Sequence, residues 1–156
     1  MTGLKQAKLL AIAIPAGLLG GAYISEYGFG LFPCEMCWWQ RWPHFAALGA
    51  GVFALFLKPA QVWTALAGLA ILTSGLIGGF HAGVEYGWWE GITGCATLGS
   101  AVDVMDPSAA PLIRCDVAPW SLFGISLAGW NFLFSTLGGI AILVLSVRGS
   151  SNEKTL

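Results

Sequence analysis

Long stretches of apolar residues, separated by short polar segments, dominate the pattern along this chain. Residues 9–25 carry no charge and lie between Lys8 and Glu26. A second apolar stretch covers 42–57, and a third follows almost at once at 61–84. At about 1.5 Å per residue, each stretch nearly or fully crosses a hydrocarbon core of roughly 30 Å. The pattern therefore predicts a membrane-spanning helix in each.

The last uncharged stretch runs over 117–147 and is too long for one untilted helix. We divide it into an interfacial piece at 119–126, anchored by Trp120, and a fourth span at 127–147. Small residues four apart, at Gly17 with Gly21 and at Gly75 with Gly79, predict faces where helices approach closely.

The connections between the stretches complete the predicted fold. The turn at Lys58 and Pro59 is so short that the second and third spans must form a helical hairpin. Two polar segments remain, at 26–41 and 85–126, and both fall on the same side of the membrane. The fold class is therefore all-α: a polytopic membrane protein, one domain over 1–156, with a four-transmembrane-helix bundle and two outward loops.

Composition supports a membrane protein and gives no electrostatic case for nucleic-acid binding. Apolar residues make up 56% of the chain and charged residues only 10%, far from the usual soluble ranges. The net charge is −1, and the chain has no stripe of basic residues.

The second span is the shortest, so we expect Arg41 and Lys58 to reach outward to opposite faces of the membrane.

The distribution of basic residues predicts the orientation. Two of them, Arg41 and Arg114, fall on the side of the two loops. Five fall on the other side: Lys5, Lys8, Lys58, Arg148 and Lys154. Because cytoplasmic segments are enriched in Lys and Arg, we expect cytoplasmic termini. All four cysteines then face an oxidising compartment, where disulfides persist.

The strongest candidate chemistry is the pair Cys34 and Cys37, just before the second span. A Cys-x-x-Cys pair can form a small disulfide that opens and closes readily. A helix beginning near Cys37 would favour a thiolate there through its N–H groups and dipole. Arg41 follows one turn later on the same face. Thiolate, cation and membrane edge together suggest a redox site that faces a lipid-soluble partner.

The other two cysteines, Cys95 and Cys115, lie in the second loop. Four cysteines allow three connectivities, and we favour Cys34 with Cys37 and Cys95 with Cys115, each within one loop. Purely structural disulfides remain an alternative, since closing the larger loop would contribute roughly 3 kcal/mol. A zinc site is a third interpretation, although it usually needs two closely spaced pairs.

Two further polar residues are weaker candidates. His81, near the end of the third span, is either a hydrogen-bonded packing residue or a partner for a carbonyl ligand. Gln40 could be a second donor at the same site or an interfacial residue. The loop acids, Glu85 among them, are expected to be solvated.

These motifs resemble the disulfide bond formation protein B (DsbB) family over essentially the whole chain. The first motif has cysteines at 34 and 37 followed by Gln40 and Arg41, at the opening of a span. The second is the later loop with Cys95 and Cys115. The third precedes the last span and reads Trp120-x-x-Phe123-Gly124-x-Ser126.

The resemblance implies an enzyme of the bacterial inner membrane that reoxidises a periplasmic thioredoxin-fold thiol oxidase similar to DsbA. By position, Cys95 would form the mixed disulfide with that partner, and Cys115 would pass the electrons toward Cys34. Such a relay ends in a membrane quinone, either ubiquinone or menaquinone.

The resemblance also implies roles at the quinone end. Cys37 would face the quinone as a thiolate, and Arg41 would bind a quinone oxygen. His81 falls near the position of a quinone-proximal histidine in the family, and Gln40 adjoins it in the motif. No metal is implied.

Three other readings remain open. A vitamin K epoxide reductase-like enzyme shares four helices and four cysteines, but its loop pair precedes its Cys-x-x-Cys. A DsbB paralogue with a dedicated partner has the same sequence features. A non-enzymatic four-span scaffold would share the hydropathy, but it would give no reason for Arg41 one turn after Cys37.

Overall fold

The computed structural model describes residues 3–93 and 113–153 and is built mainly from four helices. The bounds of these helices are α1 at Gly3–Tyr23, α2 at Glu35–Phe56, α3 at Ala60–Glu85 and α4 at Leu127–Glu153. α3 packs along both α2 and α4, while α1 lies against α2 and α4. The expected all-α bundle is thus present, with one small β-hairpin in addition.

Three segments among the described residues are long and apolar enough to cross a membrane. These are Gly3–Gly28, Ala60–Glu85 and Leu127–Arg148. α2 has a comparable length of 22 residues, but its first half carries Glu35 and Arg41. α2 also starts seven residues before the predicted span at 42–57, so its first two turns precede that span.

Of the two glycine faces predicted to allow close helix packing, the structure confirms one and contradicts the other. A Cβ at Gly75 would lie 2.7 Å from Thr136 Oγ1, and one at Gly79 would lie 2.8 Å from the Phe132 ring. Both glycines therefore allow α3 and α4 to approach closely, as predicted. The prediction for Gly17 and Gly21 is wrong, because both are exposed and line a cavity instead.

Small side chains form the apolar core where the helices come together. A buried cluster joins all four helices and consists of Ala7, Ala11, Ala47, Ala67, Ile71 and Ile142. Alanines dominate because closely packed helices leave little room for larger side chains. The other half of the bundle, toward the two loops, instead holds the buried polar side chains described below.

A π-helical turn at Ile24–Gly28 continues α1 toward the first loop. At the other loop, the interfacial piece predicted at 119–126 forms a β-hairpin, with Ser121–Leu122 paired to Ile125–Ser126. Phe123 and Gly124 both have positive φ, at 54° and 78°, as a two-residue hairpin turn requires. Both irregular segments lie at the same end of the bundle as Cys34.

Candidate functional site

Cys34 and Cys37 meet at the N-terminus of α2. Cys34 is the N-cap residue, and its Sγ accepts a hydrogen bond from the Cys37 N–H at 3.3 Å. The Cys34 thiol donates to Cys37 Sγ at 2.9 Å. A disulfide bond is about 2.05 Å long, so a small movement of the two sulfurs suffices to form it. The α2 N-terminus thus holds the pair ready for oxidation.

The two thiols differ in acidity because one donates to the other. This hydrogen bond stabilises the Cys37 thiolate and lowers the pKa of Cys37. The same bond must be broken to ionise Cys34, so together with burial it raises the pKa of Cys34 above its ordinary value. Cys37 is therefore the more acidic thiol of the pair and the one that forms a nucleophilic thiolate more readily.

Cys115 lies beside this pair, although it is distant in sequence. It is buried in one cluster with Cys34, Met36 and Val84. The Thr93 hydroxyl donates to Cys115 Sγ at 3.4 Å. The second loop therefore brings one of its two cysteines to the first pair. Cys95, the other one, lies outside the described residues, so its pairing with Cys115 stays a prediction.

Arg41 is buried, with its side chain 7% exposed, so the expectation that it reaches outward is wrong. Its Nη1 donates to Glu26 Oε2 at 2.6 Å, and Nη2 donates to the Ala22 carbonyl at 3.4 Å. The guanidinium also lies 4.9 Å from the ring centroids of both Tyr23 and Trp38. These contacts compensate the buried charge, because an ion pair and two aromatic faces replace its water.

A hydrogen-bonded chain of side chains connects α2, α3 and α4 next to the cysteines. Gln40 Nε2 donates to the Met36 carbonyl at 3.1 Å and to His81 Nδ1 at 2.8 Å. Asn131 Nδ2 donates to Gln40 Oε1 at 2.8 Å and to the Ser74 carbonyl at 3.2 Å. Because backbone carbonyls only accept, these two bonds fix the orientation of both amides.

The fixed amides determine where His81 carries its proton. Its Nδ1 accepts from Gln40, so the neutral ring is protonated at Nε2. Nε2 donates to the Cys115 carbonyl at 3.2 Å and lies 3.7 Å from Cys34 Sγ. His81 therefore points a donor at the cysteines.

The same geometry bears on metal binding. The ligand atoms of Cys34, Cys37 and His81 lie within 4.8 Å of one another, which is close enough to surround one ion. A histidine ligand, however, coordinates through an unprotonated nitrogen and usually donates from the other one. Gln40 imposes the opposite tautomer on His81, so the network favours hydrogen-bond donation over metal ligation.

His44 lies at the end of this hydrogen-bonded chain that is farthest from the cysteines. Its Nε2 donates to Asn131 Oδ1 at 3.0 Å, and Ser135 donates to the same oxygen at 2.7 Å. Among the described residues, His44 Nδ1 has no hydrogen-bond partner and is buried. The chain thus extends from the cysteines about two helical turns into the bundle.

A cavity of about 260 Å³ lies between the helices, and most of this hydrogen-bonded chain, from His81 to His44, lines it. We refer to it as the inner cavity. Its polar lining comprises Cys37, Gln40, Arg41, His44, His81, Glu85 and Asn131. Its apolar lining includes Leu18 and Leu19 from α1 and Trp130 and Phe134 from α4. Mostly apolar walls with a few converging polar groups are typical of a small-molecule site.

Four of the site residues predicted from sequence line this cavity together: Cys37, Gln40, Arg41 and His81. Cys34 and Cys115 adjoin it through the buried cluster. Sequence reasoning missed Glu26, His44 and Asn131. For His44 and Asn131 the available signal was polarity within otherwise apolar spans, because such residues usually face a partner inside the bundle. Glu26 lies just after the first span.

The burial of Glu85 is the largest difference between the predicted and the observed site. Glu85 was predicted to be a solvated loop acid, but its side chain is only 2% exposed. α3 extends to this residue, which brings Glu85 one turn beyond His81, with 3.8 Å between Oε1 and His81 Nε2. The prediction failed because it ended the span at residue 84.

Comparison with known proteins gives one consistent result. The family model described as disulfide bond formation protein DsbB matches residues 5–145. Two proteins named disulfide bond formation protein B, from Verminephrobacter eiseniae and Acidovorax sp., are each 30% identical to this chain over 90% of its length. The matched region covers 84% of the Verminephrobacter protein and 86% of the Acidovorax protein. A third, from Marinobacter nauticus, is 29% identical over 82% of this chain and 83% of its own. No solved structure gives a significant match.

Proposed function

This chain belongs to the disulfide bond formation protein B family of membrane disulfide oxidoreductases, and from that premise we propose its reaction. We propose that it reoxidises a periplasmic thioredoxin-fold thiol oxidase similar to DsbA and passes the electrons to a membrane quinone. The bacterial inner membrane is the proposed location, with cytoplasmic termini and the cysteines on the periplasmic side.

One observation carries the proposal: a dithiol with a stabilised thiolate lies at the edge of a ligand-sized cavity. The two sulfurs are 2.9 Å apart, and Cys37, the more acidic of the two thiols, is the one that lines the cavity. A structural disulfide needs neither a thiolate nor a cavity. This arrangement therefore supports electron transfer from Cys37 to a bound small molecule.

The route of the electrons follows from the positions of the cysteines. The partner's dithiol would exchange with a disulfide between Cys95 and Cys115, which leaves the partner oxidised and these two reduced. Because Cys115 is packed with Cys34, its thiolate can attack a disulfide between Cys34 and Cys37. That attack releases Cys37 as the leaving thiolate, at the edge of the inner cavity.

The lining of the inner cavity suits a quinone head. Arg41 and Gln40 follow Cys37 on one face of α2, at the spacing that brings helical side chains together. Arg41 would donate to a quinone oxygen, and the His81 Nε2–H supplies a second donor near the sulfurs. Leu18, Trp130 and Phe134 would contact the ring or the start of its isoprenoid tail.

A quinone bound there would supply the high-potential two-electron acceptor that the protein itself lacks. DsbA has a potential near −120 mV, so an ordinary Cys-x-x-Cys disulfide cannot oxidise it, since each 30 mV costs about 1.4 kcal/mol. The role of the protein would be to bind the acceptor against Cys37, to stabilise that sulfur as a thiolate and to exclude water from the exchange. A quinone of either class, ubiquinone or menaquinone, fits this requirement.

Purified protein is expected to consume quinone when it is supplied with a reduced thioredoxin-fold thiol oxidase. The measurement follows quinone absorbance and partner thiols together, and the expected ratio is two thiols oxidised per quinone reduced. Reduced glutathione at the same thiol concentration is the control for nonspecific thiol oxidation. Oxidation of the partner without quinone loss would refute the proposed acceptor.

The proposed orientation predicts which cysteines a membrane-impermeant thiol reagent reaches. In intact, reduced cells, the reagent should label Cys95, the cysteine proposed to meet the partner. A cysteine engineered at the C-terminus should be labelled only after the cells are permeabilised, because five of the seven basic residues place that side in the cytoplasm. The reverse labelling pattern would show that the orientation is wrong.

A further inference from the structure

We propose, on the basis of the function above, that Glu85 carries protons between the buried dithiol site and the outer surface. Oxidation of two thiols releases two protons, and reduction of a quinone takes up two. The inner cavity is largely apolar, so these protons need an ionisable group that can reach water. Glu85 is the described acidic residue that lines the inner cavity.

The burial of Glu85 is the first observation behind this assignment. Its side chain is 2% exposed, the Ser126 side chain interacts with its carboxyl group, and Oε2 has no hydrogen-bond partner among the described residues. A buried carboxylate without a full set of partners is unfavourable, and in membrane segments such residues mark ion or proton pathways. A purely structural acid would be expected to use both oxygens.

The position of Glu85 between two cavities is the second observation. Besides the inner cavity, Glu85 lines a wider cleft at the outer end of α3, formed by residues 84–91 with Asp116. We refer to this as the outer cleft. Trp88, Glu90 and other residues of its wall are exposed, so water has access to it. Of the described residues, Glu85 is the one that lines both spaces.

The charged and titratable groups around Glu85 leave it available for this role. On α3 itself, His81 carries its proton at Nε2 and faces Glu85 Oε1 at 3.8 Å. From α2, Cys34 and Cys37 are the proton-releasing groups, and Arg41 is paired with Glu26. From the second loop, Asp116 accepts from Arg114 at 2.9 Å. Neither cation is therefore paired with Glu85.

The proton balance can be written for one turnover. In the dithiol form, Cys37 would be a thiolate, Cys34 would keep its S–H and Glu85 would hold a proton. As the two sulfurs form their bond, two electrons would pass to the quinone, and the two protons it takes up would come from the Cys34 S–H and from the Glu85 carboxyl group. Glu85 would then be a carboxylate, and it would regain its proton from water in the outer cleft when the dithiol is next formed.

Glu85→Gln tests the assignment because it keeps the shape and removes the ionisable group. We expect quinone reduction in a single turnover to slow by about 100-fold, the lower end of acid–base contributions. Glu90→Gln is the matched control, since Glu90 lines the outer cleft alone and should leave the rate unchanged. Glu85→Asp keeps a carboxyl group and should restore much of the rate. Equal rates in wild type and Glu85→Gln would overturn the proposal.

A second readout needs no quinone and separates this proposal from the proposed function. An infrared difference spectrum between dithiol and disulfide forms should contain a carboxyl carbonyl band that Glu85→Gln removes and Glu90→Gln keeps. If the wild type fails to reduce quinone but shows this band, the quinone assignment fails and the proton linkage stands. Quinone reduction without any such band would refute the role of Glu85.

Discussion

Replacement of Cys37 with Ser is expected to lower the rate of quinone reduction by at least about a thousandfold, as removal of a reacting nucleophile does in other enzymes. Cys37 is the more acidic thiol of the pair because Cys34 donates a hydrogen bond to it, and it is the cysteine of this pair that lines the inner cavity. A serine hydroxyl at this position can neither form the disulfide nor supply the electrons. Quinone absorbance in the presence of reduced partner measures the effect.

The same variant should still react once with its partner. Cys95 and Cys115 are unchanged, so one equivalent of partner dithiol should be oxidised per protein, after which the reaction stops. Cys115→Ser is the matched control, because it should abolish turnover and leave the Cys34 and Cys37 pair able to react with added quinone. Continued turnover in Cys37→Ser would show that the quinone accepts electrons elsewhere.

Replacement of Arg41 with Ala is expected to raise the KM for quinone by about 10- to 100-fold. A hydrogen bond from a charged group contributes roughly 1.5–3 kcal/mol, and each 1.4 kcal/mol is a factor of ten. Arg41→Lys should give an intermediate KM, because the ammonium keeps the charge but lacks the planar donor fork. Initial rates at varied quinone concentration, with partner in excess, provide the measurement.

Because Arg41 pairs with Glu26, Arg41→Ala also affects the stability of the fold, and a second substitution at Glu26 provides the control for this effect. Removing the guanidinium leaves the Glu26 carboxylate buried and unpaired, which is expected to destabilise the fold by about 3–5 kcal/mol. The double variant Arg41→Ala with Glu26→Gln removes that charge and should recover much of the thermal stability. If KM also returns to the wild-type value in the double variant, Arg41 does not contact the quinone.

Sequence reasoning was most successful where the information is local. The helices lie over the predicted apolar stretches, because spans depend on runs of apolar residues and their lengths. The grouping of Cys37, Gln40 and Arg41 at the inner cavity follows from helical spacing along one segment. The close approach at Gly75 and Gly79 is likewise a property of one helix face.

Contacts between distant segments could not be read in this way. Arg41 pairs with Glu26, fifteen residues earlier, and Gln40 meets Asn131, ninety-one residues later. Both contacts depend on the rotation of each helix about its axis, which apolar runs without a clear polar face leave undetermined. The burial of Glu85 depends in addition on where α3 ends.

Asn131 offers a lesson about apolar spans. It is a polar amide within a long uncharged stretch, where a side chain of this kind requires a partner inside the bundle. Its hydrogen bonds to Gln40 and to the Ser74 carbonyl provide that partner. They also help to orient the Gln40 amide, which in turn sets the tautomer of His81. Polar residues within predicted spans therefore merit the same attention as the cysteine motif.

The π-helical turn at Ile24–Gly28 makes the electrostatics of the site depend on chain length. Each residue of an α-helix turns the chain by about 100°, so deletion of one residue in this turn would rotate Glu26 away from Arg41. The buried guanidinium would then lose its counterion although every side chain of the site was still present. A single-residue deletion at Ile24 or Ser25, just before Glu26, is thus a more severe change than most substitutions there.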